Sequence, residues 1–115
     1  MLRHRIALAS VVAVAAVPAG VASAHSCGYV ANIKINANSN TSCPFARNIA
    51  RAFRGGVLRG TIDPIGDNVA SGHAYSPVTG INYYVRCSHL SGSYTYAVWG
   101  CYAGNNAYAR LTYYG

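Results

Sequence analysis

"INYYVRCSHLSGSYTYAVWGCYAGNNAYARLTYY" occupies residues 81–114, and its reading decides the fold. Tyrosine, valine and threonine suit a pleated, half-buried surface, and they dominate the runs Ile81–Cys87, Ser93–Cys101 and Asn106–Tyr114. Ser91-Gly92 and Gly104-Asn105 separate the runs with turn chemistry. The pattern predicts an antiparallel meander of three strands. A turn near Ser91 sets Tyr83 opposite Trp99, Val85 opposite Ala97 and Ile81 opposite Cys101, and opposed residues share a face. The expected core face therefore carries Ile81, Tyr83, Val85, Cys87, Ala97, Trp99 and Cys101, joined by Ala109 and Leu111. The opposite face carries Tyr84, Arg86, Tyr94, Tyr96, Val98, Tyr108, Arg110 and Tyr114.

Upstream, "NTSCPFARNIARAFRGG" (Asn40–Gly56) reads as a short helix. Thr41 or Ser42 can cap its first amides, and Pro44 falls in the first turn, where proline is tolerated. Phe45, Ile49 and Phe53 make an apolar stripe, Arg47, Arg51 and Arg54 lie on another face, and Gly55-Gly56 ends the helix. Val30–Asn36 alternates as a short strand, Val57–Ile62 reads as a brief one, and residues 63–77 read as loop. The expected fold is α+β: one short helix packed on an antiparallel sheet of three to five strands, ending in the three-strand meander.

The first 24 residues read as a secretory signal peptide. Arg3 and Arg5 precede an apolar run, Pro18 and Gly20 break it, and Ala22-Ser23-Ala24 suits cleavage. Residues 25–115 are then a single exported domain, expected to be extracellular and monomeric. A lipid anchor on Cys27 is disfavoured because Ala24-His25-Ser26 is a poor lead-in, and no later stretch is long and apolar enough to span a membrane.

Cys27, Cys43, Cys87 and Cys101 all lie in the exported part, so an even count predicts two disulfides. Their spacings of 16, 44 and 14 contain no Cys-x-x-Cys pair, which argues against a metal site. The turn near Ser91 leaves Cys87 and Cys101 six residues out of register. That is roughly 20 Å at ~3.3 Å per residue, too far for a bond that needs Cα atoms ~4.4–6.8 Å apart. Each should then reach Cys27 or Cys43, with Cys43–Cys101 and Cys27–Cys87 the preferred pattern.

Removing Arg3 and Arg5 takes the formal charge from +7 to +5 and leaves arginines, one lysine, Asp63, Asp67 and no glutamate. Such a balance suits anionic polymers, and arginine's fork suits phosphate and carboxylate. The face with Tyr84, Arg86, Tyr94, Tyr96, Tyr108 and Arg110 is the candidate binding surface, an aromatic and cationic platform for an anionic or sugar-rich envelope polymer or a protein. Such residues also stabilise an ordinary solvated sheet, and residues 61–76 could cover them.

Catalytic chemistry finds little support. The chain has no Gly-x-Ser-x-Gly elbow and no phosphate loop. Asp63 and Asp67 share one loop, a poor arrangement for glycoside hydrolysis and a weak calcium site. His73 and His89 with Arg86 could on paper serve a small secreted hydrolase or toxin acting on nucleic acid, which is the alternative to a non-catalytic binding module. No catalytic residue, cofactor or metal is assigned.

"TSCPFA" at 41–46, "SPVTG" at 76–80 followed by Tyr83, Val85 and Cys87, and Cys101 followed by "GNNA" at 104–107 make a spaced pattern. The pattern resembles small exported, disulfide-bonded actinobacterial-type proteins of uncharacterised function, over about Thr41 to Leu111. The resemblance implies export and disulfide bonding, and it implies no activity.

Overall fold

A computed structural model describes residues 24–62, 68–93 and 95–115. The elements run β1 (His25–Val30), β2 (Ile33–Ala37), α1 (Cys43–Arg54), β3 (Arg59–Ile62), β4 (Asn68–Ser76), β5 (Ile81–Ser93), β6 (Tyr96–Ala103) and β7 (Ala107–Tyr114). The strands form one antiparallel sheet of seven in the order β1-β2-β7-β6-β5-β4-β3, with α1 on its inner face. The expected α+β class and terminal meander are present, and the sheet is larger than the three to five strands expected. The predicted signal segment, residues 1–24, lies outside the described residues but for Ala24. Among the described residues no helix is long and apolar enough to cross a membrane.

The helix forms where its capping chemistry says it should. The Ser42 hydroxyl accepts the Phe45 amide N–H at 3.3 Å, and Pro44 sits in the first turn. Phe45, Ala46, Ile49 and Ala50 are buried against Ile33, Ile35, Val85 and Leu111 of the sheet. The helix packs most heavily on β4, a strand the sequence reading took for loop. The physical reason is the size of its inward residues. Ala70, Gly72, Ala74 and Ser76 face α1 and give almost no hydrophobic alternation. Small side chains there let the helix approach, and Asn48 Nδ2 donates to the Tyr75 carbonyl at 2.9 Å.

A buried polar knot joins the helix entry to β7. Asn38 is almost fully buried, and its Nδ2 donates to the Asn106 carbonyl at 2.8 Å. Its Oδ1 accepts the Thr41 hydroxyl at 2.7 Å and the Asn40 amide at 3.2 Å. The Thr41 hydroxyl in turn accepts the Tyr108 amide at 2.9 Å. Burial without these partners would cost each group on the order of 1–3 kcal/mol.

The disulfides overturn the expected pattern. The bonds are Cys27–Cys43 and Cys87–Cys101, and there is no Cys43–Cys101 or Cys27–Cys87 bond. Cys87 lies directly opposite Cys101, with Cα atoms 3.9 Å apart. Ser91-Gly92 is no turn. Both residues remain in β5, which bulges between His89 and Ser91 and pairs Ser93 with Tyr96. Gly92 has a φ of +100°, and a Cβ there would sit 1.9 Å from the Tyr96 carbonyl oxygen. Its glycine character serves this close crossing. The expected hairpin was therefore six residues out of register at Cys87. Because six is even, the faces survive the error. Val85, Cys87, Ala97, Cys101, Ala109 and Leu111 are buried as expected, with Tyr83 and Trp99 half-buried, whereas Ile81 is 48% exposed beside the 77–80 turn.

Each disulfide closes a loop of similar size, 16 and 14 residues, so each is expected to contribute about 3 kcal/mol through the unfolded chain. They differ in what they hold. Replacing Cys27 and Cys43 by serine is expected to accelerate amide exchange in the edge strand β1 well beyond the global loss of stability. Replacing Cys87 and Cys101 by alanine, at the sheet centre, should lower protection uniformly. Exchange measured residue by residue in the two variants checks this, and identical patterns would contradict it.

Candidate functional site

The outer face of the sheet is a continuous lattice of side chains. One row crosses five strands as Arg59, Ser71, Arg86, Tyr102 and Tyr108. The adjoining row runs Ser88, Gly100, Arg110 and Asn36, and the next runs Val98, Thr112, Lys34 and Tyr29. Tyr96 pairs with Tyr114 and Tyr84 with His73, their rings 5.5 and 5.7 Å apart. No described helix or strand packs across this face. Of residues 61–76, which the sequence allowed to cover it, 61–62 and 68–76 extend the sheet sideways in β3 and β4, and 63–67 lie outside the described residues. Tyr84 and Tyr102 are 55% and 56% exposed, and Arg59, Arg86 and Arg110 are also exposed.

Of the expected binding residues, Tyr84, Arg86, Tyr96, Tyr108 and Arg110 do share this face, and Tyr94 lies outside the described residues. Tyr108 is a support: at 9% exposed, its ring packs 4.7 Å from that of Tyr102 and over Gly100. A Cβ on Gly100 would stand 2.9 Å from the Tyr108 hydroxyl, so the glycine makes room for the ring. Tyr102 was missed because the strand was ended at Cys101, although the alternation Tyr96, Val98, Gly100, Tyr102 carries it to this face.

Charge on the molecule is one-sided. Lys34, Arg47, Arg51, Arg54, Arg59, Arg86 and Arg110 share the chain with only two carboxylate side chains, Asp63 and Asp67. Both aspartates lie outside the described residues, so no calcium arrangement is described. Two of the helix arginines have structural work: Arg47 Nη1 donates to the Cys27 carbonyl at 3.2 Å, and Arg51 Nη1 to Asn48 Oδ1 at 3.0 Å.

The two histidines of the hydrolase alternative are not brought together. His73 stands on the outer face beside Tyr84, while His89 stands on the inner face against Trp99, 5.3 Å between rings. The sheet separates them. Among the described residues no cysteine is free, so there is no thiolate nucleophile. His25 lies within 4.8 Å of the sulfurs of Cys27 and Cys43, but both sulfurs are spent in a disulfide and offer no thiolate to a metal.

Among the concavities on the inner side, two flank the ends of α1. One, of about 560 Å³, lies past the end of α1, where Phe53, Trp99 and Tyr113 form an aromatic trough with His89 and Asn68 at its rim. Phe53 meets Trp99 edge-on with centroids 5.0 Å apart. The other, of about 420 Å³, lies at the opposite end of the helix among the connecting loops. No protein-family model, curated protein or solved structure matches this chain.

The two stacked tyrosines should separate in stability measurements. Tyr102→Ala removes an exposed ring and is expected to cost less than about 1 kcal/mol. Tyr108→Ala removes a buried ring and is expected to cost about 3 kcal/mol. Urea denaturation of the two variants checks the assignment of contact and support, and equal costs would contradict it.

Proposed function

We propose that this chain is an exported, disulfide-stapled, non-catalytic binding module that holds an anionic, sugar-rich envelope polymer on the outer face of its sheet. The observation that carries the reading is the open Tyr–Arg lattice: exposed Tyr84, Tyr96 and Tyr102 interleave with Arg59, Arg86 and Arg110 on one face. Tyrosine offers flat area with little side-chain entropy to lose, and arginine stacks on rings or forks onto phosphate and carboxylate. A broad surface that crosses several strands suits an extended chain better than a small substrate. The scarcity of carboxylates leaves the field positive over such a surface. Export rests on the basic, apolar and small-residue order of the first 24 residues and accords with two disulfides. The hydrolase alternative loses ground because His73 and His89 stand on opposite faces.

The test uses a polyglycerol-phosphate polymer and heparin as anionic probes, with neutral dextran as control. Both anionic probes should bind at low salt and weaken steeply towards 1 M, where the screening length falls to ~3 Å. Tyr102→Ala with Arg110→Ala is expected to weaken binding at least about tenfold, ~1.4 kcal/mol, with the melting temperature nearly unchanged. Arg51→Ala with Arg54→Ala should change it far less. Loss of binding in the helix pair with retention in the sheet pair would move the function to the helix.

A further inference from the structure

Three connections meet at the end of the sheet where α1 begins: residues 38–42, the turn 77–80 and the turn 104–106. With His25 at the start of β1 they enclose the cavity of about 420 Å³. That volume falls within the ~300–1,000 Å³ of ordinary small-ligand sites.

A buried hydroxyl faces this cavity without a partner. Ser76 is the last residue of β4, lies on the inner face and is 3% exposed. Its carbonyl accepts the Gly80 N–H at 2.8 Å, closing the turn, but its hydroxyl meets no hydrogen-bond partner among the described residues. Thr41, lining the same cavity and equally buried, shows the contrast: its hydroxyl both donates to Asn38 and accepts from Tyr108. Buried polar groups are almost always paired, and one left open towards a cavity points to a ligand or water that completes it.

The rest of the lining narrows the chemistry. No Asp, Glu, Lys or Arg side chain contributes to it, although the chain is strongly basic elsewhere; its basic group is His25, which removal of residues 1–24 would also make the N-terminal residue. The other polar side chains are hydroxyls and amides, including Thr79 and Asn105, set beside Val78 and two tilted rings, Phe45 and Tyr83, with centroids 5.3 Å apart. Neutral donors and acceptors beside aromatic carbon match a molecule with a hydroxyl edge and an apolar C–H face. We infer that this loop-end cavity binds a neutral sugar ring, separately from the polyanion surface on the other side of the sheet. The inference rests on Ser76 and the cavity, and it stands whether or not the outer face binds a polymer.

The test titrates the disulfide-intact protein with methyl glucoside and N-acetylglucosamine, following backbone amide shifts. Saturable shifts at Ser76, Thr79 and Asn105 are expected with at least one of them, with Kd on the order of 1 mM. Ser76→Ala should weaken that binding about tenfold and, by removing an unpaired buried hydroxyl, raise the melting temperature. Thr79→Val, at an exposed turn position, should weaken binding without changing the melt. Several outcomes would overturn the inference: no saturation by either probe, shifts confined to Tyr84 and Tyr102, or a lower melting temperature for Ser76→Ala, which would mean that its hydroxyl is already satisfied.

Discussion

Placing Cys87 opposite Cys101 fixes the register of the β5–β6 hairpin, and the rest of the molecule is arranged around it. These two strands sit near the centre of the sheet, with β7 and β2 on one side and β4 and β3 on the other. A slip of one residue would turn Val85 and Cys87 outward and bring Tyr84 and Arg86 against the helix. An arginine forced into that core without a carboxylate would cost several kcal/mol. The covalent bond and the crossing at Gly92, which admits no Cβ, exclude that slip from two ends of the same strand pair.

The second disulfide acts at the margin. β1 has a neighbour on one side only, and it bulges between Ser26 and Tyr29. Beyond its ladder with β2, its hold on the domain comes from Cys27–Cys43 and from the Arg47 hydrogen bond to the Cys27 carbonyl. The helix is thus pinned at its first residue by a covalent bond and at its entry by the Asn38–Thr41 knot to β7. A domain this small buries only a modest share of its surface, so such pins supply stability that a larger core would otherwise give.

What the sequence showed depended on side-chain size and parity. The helix was legible because Ser42, Pro44, Phe45 and Ile49 each carry a local signal. The two sheet faces were legible because period-2 alternation survives any even error in register. The pairing of cysteines was illegible for the same reason in reverse: alternation says nothing about which turn closes the hairpin, and Ser91-Gly92 looks like a turn while serving a bulge. β4 stayed hidden because its inward residues, Ala70, Gly72, Ala74 and Ser76, are too small to register as hydrophobic. The candidate surface was largely visible in Tyr84, Arg86, Tyr96 and Arg110, but the roles of Tyr102 as contact and Tyr108 as support depend on how two rings stack. The loop-end cavity draws on four separated stretches of chain, which no local pattern connects.

The proposed function takes the aromatic rings interleaved among arginines on one sheet face, uncovered among the described residues, as the surface that holds an extended, negative polymer. The account stands on that face being open in the free protein and covered in the complex. Tyrosine nitration read by peptide mass spectrometry tests both states in one experiment. In the free protein Tyr84, Tyr96 and Tyr102 should react readily and Tyr108 slowly, and an anionic polymer should protect the first three together while leaving the rate of Tyr113, half-buried on the inner face, unchanged. Slow reaction of Tyr84 and Tyr102 without polymer, or protection that falls on tyrosines away from this lattice, would contradict the account.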